Sequence, residues 1–327
     1  MSAFLLCGNL AMRNLYQPLL IGLLWGALQP LVSAAEIAPA PLQDLDVPFV
    51  VSAPVVTQTM LEMAKVTQSD YVVDLGSGDG RIVFLAARQY GARGLGVEIE
   101  PRLVETAQAD AQKLKLEHLV TFRKQDLFAT DLGAATVITM YLLPDVNLAL
   151  RPKLLGLKPG TRIVSHDWDM GDWIADETRT VDNPEKSLGL EKQSRVYLWI
   201  VPASLDGKWC AQQSKTSTES AMNVELRLDQ RYQKLNGVLS ANVAGNSRGL
   251  NVQFRATLNG HRFVIPHSEQ DSGVPAVADG DTIVLNGAAY GLASNLVFKR
   301  AGNADAVCGS SKRSNQVADP SSLVRRV

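Results

Sequence analysis

The stretch VVDLGSGDGR, from Val72 to Arg81, limits the possible folds more than any other part of the sequence. An apolar run followed directly by alternating glycines and a helical pattern is typical of a buried parallel strand that turns sharply into a helix. Glycine permits a tight turn and lets a ligand approach the backbone, and free N–H groups at the helix start favour a negatively charged or polar ligand group. The stretch therefore predicts a ligand-binding turn in an α/β sheet.

Strand and helix patterns alternate around this turn. The apolar spacing predicts helices over 55–66, 81–90, 101–116 and 144–157. Between them, YVVDL, GLGVEI, LVTFRK, ATVITMY and TRIVSH are strand patterns, and SRVYLWIV is a late one. This alternation predicts an α/β fold, with a doubly wound Rossmann-like sheet and helices on both faces.

The pattern changes near Pro202. From there apolar and polar residues alternate, and pairs such as Asn236-Gly237, Asn259-Gly260 and Asp279-Gly280 mark turns. These features predict a small antiparallel all-β domain, a barrel or a sandwich. The predicted organisation is a leader over 1–35, an α/β domain over 36–202, a β domain over 203–309 and a disordered tail over 310–327.

The leader has the features of a secretory signal peptide. Arg13 precedes an apolar run from Leu19 to Leu28, which is too short to cross a bilayer comfortably, and Val32-Ser33-Ala34 offers small residues for cleavage. We expect an exported protein, periplasmic or secreted. An uncleaved membrane anchor is the alternative.

Two of the three cysteines, Cys210 and Cys308, lie beyond the leader. An even pair in an exported chain suggests a disulfide, and a meander that closes would bring its first and last strands together. Two unrelated free thiols are the alternative. The net charge of −1 gives no broad electrostatic reason to expect nucleic-acid binding, and the sequence sets no oligomeric state.

The glycine turn does not have the spacing of a dinucleotide site. A G-x-G-x-x-G pattern that starts at Gly76 would place its third glycine at Arg81. The pattern is instead D-x-G-x-G-x-G beginning at Asp74, with Glu98 ending the second strand and Asp126 following the third. This arrangement resembles the class I S-adenosylmethionine-dependent methyltransferases. An acidic motif suits the cationic sulfonium of that cofactor better than it suits a diphosphate.

Further segments narrow the resemblance. PFVVSAPVVTQTMLEMAKV, GLGVEIEPRLVETA, YLLP and LKPGTRIVSHDWDMGDW occur in the order found in the lysine methyltransferases of the ATP synthase c-subunit and of the adenine nucleotide translocase. The similarity runs from about Pro48 to Trp173, under half of the chain. It implies that the segment around Phe49 covers the cofactor, that Glu98 binds its ribose and that Asp126 binds its adenine. It also implies that the methionine end is held by Asp74, Gly76, Ser77, Gly78 and Gly80.

Two residues on the carboxyl edge are candidates for catalysis. Tyr141 follows the fourth strand and could line a lysine channel, or it could be a packing residue. His166 ends the fifth strand and could gate or deprotonate an amine, or it could fix a loop through hydrogen bonds. Trp168 and Trp173 are expected to pack a lid or a domain contact.

The sequence therefore favours a methyltransferase acting on a protein lysine, and a membrane-associated protein is one candidate substrate. A small-molecule methyltransferase, or an exported binding protein built on this fold, is the alternative. No metal site is predicted, because no His/Cys cluster has ligand spacing. The predicted export conflicts with the cofactor, which is not expected to be supplied outside the cytoplasm.

Overall fold

The computed structural model describes residues 50–187, 189–213, 222–243, 249–267, 273–302 and 308. The predicted leader, Phe49 and the predicted tail lie outside these residues. Within the described ranges, no helix is both long and apolar enough to cross a membrane.

The first part of the chain forms a seven-stranded sheet in the order β3-β2-β1-β4-β5-β7-β6. Strands β3, β2, β1, β4 and β5 pair with one another in parallel, and β7 runs antiparallel to both β5 and β6. The order reverses direction beside β1, as in a doubly wound sheet. The strands are β1 Tyr71–Leu75, β2 Arg93–Glu98, β3 Val120–Lys124, β4 Val137–Met140, β5 Arg162–His166, β6 Glu177–Asp182 and β7 Gln193–Ile200. The helices are α1 Pro54–Met63, α2 Arg81–Tyr90, α3 Pro101–Lys113 and α4 Pro144–Leu155.

Helix ends follow local backbone chemistry. Proline occupies the first turn of α1, α3 and α4, where its missing N–H costs no helical hydrogen bond. α2 has the predicted bounds and ends at Gly91, which adopts the left-handed conformation at φ 68°. α3 ends three residues before the predicted Leu116, because Lys115 turns into the left-handed region at φ 57°.

Side chains of alternating strand residues fill a core on each face of the sheet. Val73, Ile138 and Ile163 pack with the buried side of α4 in one core. The residues next to Val73 and Ile138, namely Val72 and Val137, pack with α1 and α2 in another. The helices thus cover both faces, as the sequence predicted, and the carboxyl edge of the sheet is left for the loops that carry the candidate site residues.

The second part is an eight-stranded antiparallel meander in the order β11-β10-β9-β8-β15-β14-β13-β12. Its two outer strands, β11 and β12, follow one another in the chain, and all eight strands contribute to one apolar core, so the sheet curves around that core. We call this part of the chain the barrel. The strands are β8 Gly207–Gln213, β9 Met222–Arg231, β10 Lys234–Val243, β11 Leu250–Thr257, β12 Arg262–Ile265, β13 Val274–Asp279, β14 Thr282–Leu285 and β15 Leu296–Arg300.

The first and last strands of the barrel pair with each other, as predicted. Cys210 on β8 lies opposite Lys299 on β15. Cys210 and Cys308 form a disulfide across a sequence separation of 98, with their Cα atoms 5.3 Å apart. The bond ties the residue beyond β15 back to the start of the domain.

Candidate active site

The glycine turn joins β1 to α2 and depends on three left-handed residues. Gly76, Gly78 and Gly80 have φ values of 75°, 53° and 81°, which side chains with a Cβ rarely adopt. A Cβ on Gly80 would lie 2.5 Å from the ring of Phe122. Gly80 is therefore required by conformation and by packing against β3, whereas its predicted contact with the cofactor stays a prediction.

Glu98 closes the turn from the neighbouring strand. One carboxylate oxygen, Oε2, accepts a hydrogen bond from the backbone N–H of Gly78 at 2.9 Å. The other, Oε1, accepts from Ile99 N at 2.8 Å and from Glu100 N at 3.1 Å. Because parallel strands β1 and β2 end at the same edge, this carboxylate stands beside the turn in a fixed orientation.

Asp74 lies beneath the turn and is only 2% exposed. Its Oδ1 accepts a hydrogen bond at 2.7 Å from Thr139 Oγ1, the residue opposite it on β4. Burial raises the pKa of Asp74 to about 7, and the negative charges of Glu98 and Asp79 add to the effect. A positive charge brought to the turn would stabilise the ionised form of Asp74.

The turn also contains a buried hydroxyl that lacks a partner. Ser77 Oγ is fully buried and makes no hydrogen bond within the part of the chain that the structure describes. Asp79, in the same turn, is paired with Arg81, whose Nη2 lies 2.6 Å from Asp79 Oδ2. The unpartnered hydroxyl of Ser77 and the carboxyl groups of Asp74 and Glu98 together fit a ligand that carries positive charge and hydroxyl groups, as S-adenosylmethionine does. Negative charge on the two carboxyl groups would repel a diphosphate.

Asp126 lies in a tight turn after β3. Its Oδ1 accepts from Phe128 N at 2.8 Å, and its backbone oxygen accepts from Thr130 Oγ1 at 2.9 Å. Lys153 of α4 donates from Nζ to Phe128 O at 2.6 Å and to Thr130 O. The sequence did not single out Lys153, which holds this loop from a helix.

Tyr141 and His166 come together at the ends of β4 and β5. Their rings stack with centroids 3.8 Å apart and an interplanar angle of 29°. Tyr141 is half-buried, and its hydroxyl makes no hydrogen bond to another described residue. Burial, together with the negative charge of Asp167, raises the pKa of Tyr141 to about 12. The group therefore stays a neutral phenol that can both accept and donate.

His166 is 1% exposed, and both of its ring nitrogens are engaged. Nδ1 lies 2.8 Å from Ser52 Oγ, and Nε2 lies 2.9 Å from Ser194 Oγ. Burial lowers the pKa of His166 to about 4, against the opposing negative charge of Asp167. A neutral histidine with both nitrogens occupied is a poor proton acceptor, so this geometry favours the alternative interpretation, in which His166 fixes its surroundings and supports the ring of Tyr141.

Ser52 belongs to the segment around Phe49, which the family resemblance predicts to cover the cofactor. Besides its contact with His166, its carbonyl accepts a hydrogen bond from Arg81 Nη1 at 3.0 Å. The segment is thus tied both to the start of α2 and to the end of β5. The motif PFVVSAP pointed to this region, but nothing in it indicated which residue would make the contacts.

The loop after β5 is rigid where it leaves the strand. Asp167 adopts φ 62°, and its carboxylate is held by Arg195 N at 2.9 Å and by Lys186 Nζ at 2.9 Å. The carbonyl of Trp168 accepts from Ser165 Oγ at 2.6 Å and from Asn147 Nδ2 at 3.1 Å. The indole of Trp168 is 39% exposed, so it does not pack as a closed lid, whereas Trp173 is fully buried.

Comparison with known proteins identifies methyltransferases as the relatives of this chain. The ANTKMT methyltransferase domain matches residues 74–177. A protein-lysine N-methyltransferase of Saccharolobus islandicus is 39% identical over 160 residues, which are 47% of this chain and 94% of that protein. The lysine N-methyltransferase of the ATP synthase c-subunit from Xenopus laevis is 29% identical over 158 residues, which are 47% of this chain and 69% of that protein.

Among solved structures, an RNA methyltransferase from Salinibacter ruber in complex with S-adenosyl-L-homocysteine is 48% identical, with a TM-score of 0.43. The match covers 48% of this chain and 96% of that chain. On the sequence matches, the chain belongs to the ANTKMT methyltransferase family. It is an S-adenosylmethionine-dependent methyltransferase, and the predicted class, fold and cofactor are confirmed.

Proposed function

We propose that this chain methylates the side-chain amine of a protein lysine. The similar protein of Saccharolobus islandicus is named a protein-lysine N-methyltransferase, and its match covers nearly all of its length. The observation in the structure that carries the proposal is the Tyr141 hydroxyl. It is half-buried, lacks a partner among the described residues, and stands at the carboxyl edge two strands from Glu98.

The chain's own residues would act mainly by positioning. S-adenosylmethionine, when bound, supplies a methyl group already activated on its sulfonium, so no strong general base is needed for the transfer. Glu98 and Ser77 would hold the cofactor at the turn, and Asp126 would hold its adenine. The neutral hydroxyl of Tyr141 can accept an N–H of an incoming neutral amine and thereby aim its lone pair at the methyl carbon.

The same surroundings favour the reactive form of the amine. A lysine ammonium loses its proton more readily in a partly apolar site, because burial disfavours the charged form. The Tyr141 ring, supported from behind by His166, supplies an apolar wall for the lysine stem. The proton released by the amine would pass to solvent, since neither nitrogen of His166 is free to receive it.

The test is transfer of a labelled methyl group. The purified protein would be incubated with methyl-tritiated S-adenosylmethionine and with soluble protein, membrane protein, RNA and small-molecule fractions of its host. We expect label in methyllysine after acid hydrolysis of the protein fractions. Tyr141→Phe should bind S-adenosylhomocysteine as wild type does but lose at least tenfold in turnover. Label confined to small molecules, or binding without any transfer, would favour the two alternative functions instead.

We also propose that the protein acts outside the cytoplasm. The leader sequence predicts export, and the Cys210–Cys308 disulfide supports it, because cytosolic thiols usually stay reduced. An exported methyltransferase requires that its cofactor reach the same compartment. Fractionation of cells that express a tagged copy tests the location, and recovery of the mature chain only from the cytoplasm would contradict it.

A further inference from the structure

The turn between β9 and β10 of the barrel contacts the methyltransferase part of the chain. We call residues 231–233 the barrel turn and residues 167–176 the post-β5 loop. Arg231 Nη2 lies 2.9 Å from Asp172 Oδ2, and the Tyr232 hydroxyl donates to Asp172 Oδ1 at 3.0 Å. Gln233, which is only 3% exposed, donates from Nε2 to Ile174 O at 2.7 Å. Each residue of the barrel turn thus bonds the post-β5 loop.

Ring contacts reinforce these bonds. Tyr232 stacks on the fully buried Trp173, with centroids 5.9 Å apart and an interplanar angle of 21°. The guanidinium of Arg151, from α4, lies 5.8 Å from the centroid of the Tyr232 ring and also bonds Asp172 Oδ1 at 2.5 Å. Hydrogen bonds from Arg231 and Tyr232 hold the pKa of Asp172 down to about 2. The part of the loop from Asp172 to Ile174, which is the part farther from His166, is therefore held between α4 and the barrel.

The near end of the same loop lies at the candidate active site. It begins at Asp167, directly after His166, and continues through the exposed Trp168. Asn147 and Ser165 fix the Trp168 carbonyl from within the methyltransferase part. Only a few residues separate Trp168 from Asp172 and Ile174, which contact the barrel turn. A shift of Asp172 and Ile174 would therefore move Trp168 or change the backbone conformation of the residues between them.

The protein-lysine N-methyltransferase of Saccharolobus islandicus is matched over 94% of its length by 47% of this chain, so about half of this chain lies outside that match. We propose that the barrel turn is a positioning element for the acceptor side of the active site, holding the post-β5 loop where Trp168 and Tyr141 face an incoming substrate. The assignment of this loop to the acceptor side rests on the proposed function. Among the described residues, the barrel turn makes no hydrogen bond, ion pair or ring contact with the glycine turn, so we expect cofactor affinity to be independent of it.

Gln233→Leu tests the proposal, because it keeps the side-chain size and leaves the Ile174 carbonyl without its donor. Gln253→Leu, the same change at an exposed position of β11, is the matched control. We expect amide hydrogen exchange in the post-β5 loop to become at least tenfold faster in Gln233→Leu only. The backbone amides of Gly171, Trp173 and Asp176 in this loop are hydrogen-bonded, so their exchange rates report how often the loop opens.

Two further measurements separate positioning from a general loss of structure. The affinity for S-adenosylhomocysteine, measured by titration calorimetry, should stay within twofold of wild type. The amount of labelled protein fraction needed for half-maximal methylation should rise at least threefold. Tyr232→Phe, which removes a single hydroxyl, serves as a milder variant if Gln233→Leu does not fold.

Unchanged exchange in the loop, or a loosened loop with unchanged acceptor kinetics, would overturn the proposal. A parallel loss of cofactor affinity would show a structural role instead and would also overturn it. If the wild-type protein labels no lysine, the proposed function fails, and the exchange measurement still decides whether the barrel turn holds the loop.

Discussion

Replacing Asp74 by asparagine should stabilise the protein without cofactor, and increasingly so as the pH rises. In the unfolded chain an aspartate titrates near pH 3.9, whereas burial raises the pKa of Asp74 in the fold to about 7. Between these two values the folded protein keeps a proton that the unfolded chain has lost. The stability contribution is therefore fully present below about pH 3.9 and is lost as the pH rises through about 7.

The size of the effect follows from the two pKa values. Each pH unit in this window costs about 1.4 kcal/mol, so the full loss is about 4 kcal/mol, of which roughly 3 kcal/mol falls between pH 5 and pH 8. The asparagine side chain carries no charge and keeps an oxygen to accept the Thr139 hydroxyl. We expect the melting temperature of the variant, relative to wild type, to rise by roughly 5–10 °C over that pH range.

The assay is a series of thermal melts without cofactor between pH 5 and pH 8. Glu117→Gln, which removes one exposed carboxylate between α3 and β3, is the control and should follow wild type at every pH. The Asp74 variant should also bind S-adenosylmethionine less tightly relative to S-adenosylhomocysteine, because only the former carries the sulfonium charge. Parallel melting profiles of wild type and Asp74→Asn would refute the reasoning.

Three other changes test separate parts of the structure. Glu98→Gln should weaken S-adenosylhomocysteine binding at least tenfold in calorimetry, since hydrogen bonds to a charged group contribute about 1.5–3 kcal/mol each; unchanged affinity would remove the ribose assignment. Lys153→Met should weaken the same binding severalfold by releasing the loop after β3, and Lys153→Arg should restore it; equal affinities for both variants would leave Lys153 without this role. Replacing Cys308 by serine should lower the melting temperature, since closing a loop of this size contributes up to about 4–5 kcal/mol; a melt that matches wild type, or free thiols at Cys210 and Cys308 in native protein by mass spectrometry, would contradict this.

The strands and helices that carry strong local patterns could be predicted from the sequence. α2 has its predicted bounds because an apolar stripe lies between Gly80 and Gly91, two residues that adopt the left-handed conformation. β6 was missed because most of its residues are exposed and no apolar run marks it. Its strand conformation comes from pairing with β7, which no local pattern reports. An antiparallel β domain, a barrel or a sandwich, was predicted because antiparallel strands alternate in polarity and pairs such as Asn259-Gly260 and Asp279-Gly280 mark turns. The third predicted turn, Asn236-Gly237, was wrong: both residues lie inside β10, where the absence of a Cβ on Gly237 leaves room for the ring of Phe254.

The meeting of Asp74 and Glu98 at one edge of the sheet was also within reach of the sequence, for a topological reason. Asp74 and Glu98 end strands that are neighbours in the sheet, and residues at the ends of adjacent parallel strands meet at one edge. A motif of a few residues per strand is then enough to indicate a shared site. The predicted contacts of these residues with the cofactor await the variants described above.

The acceptor side could not be predicted in the same way, because its geometry depends on contacts between distant parts of the chain. His166 was a candidate proton acceptor until its partners were known. Ser52 lies 114 positions before it and Ser194 lies 28 positions after it, and together they occupy both ring nitrogens. The post-β5 loop likewise depends on Tyr232, which lies 60 positions beyond Asp172, in the turn between β9 and β10. A residue type and its place at a strand end therefore identify a candidate, but whether that group is free to react is decided by partners that no local motif contains. Among the described residues, those partners leave the Tyr141 hydroxyl without a hydrogen bond at this edge, which is why we propose that it receives the acceptor amine.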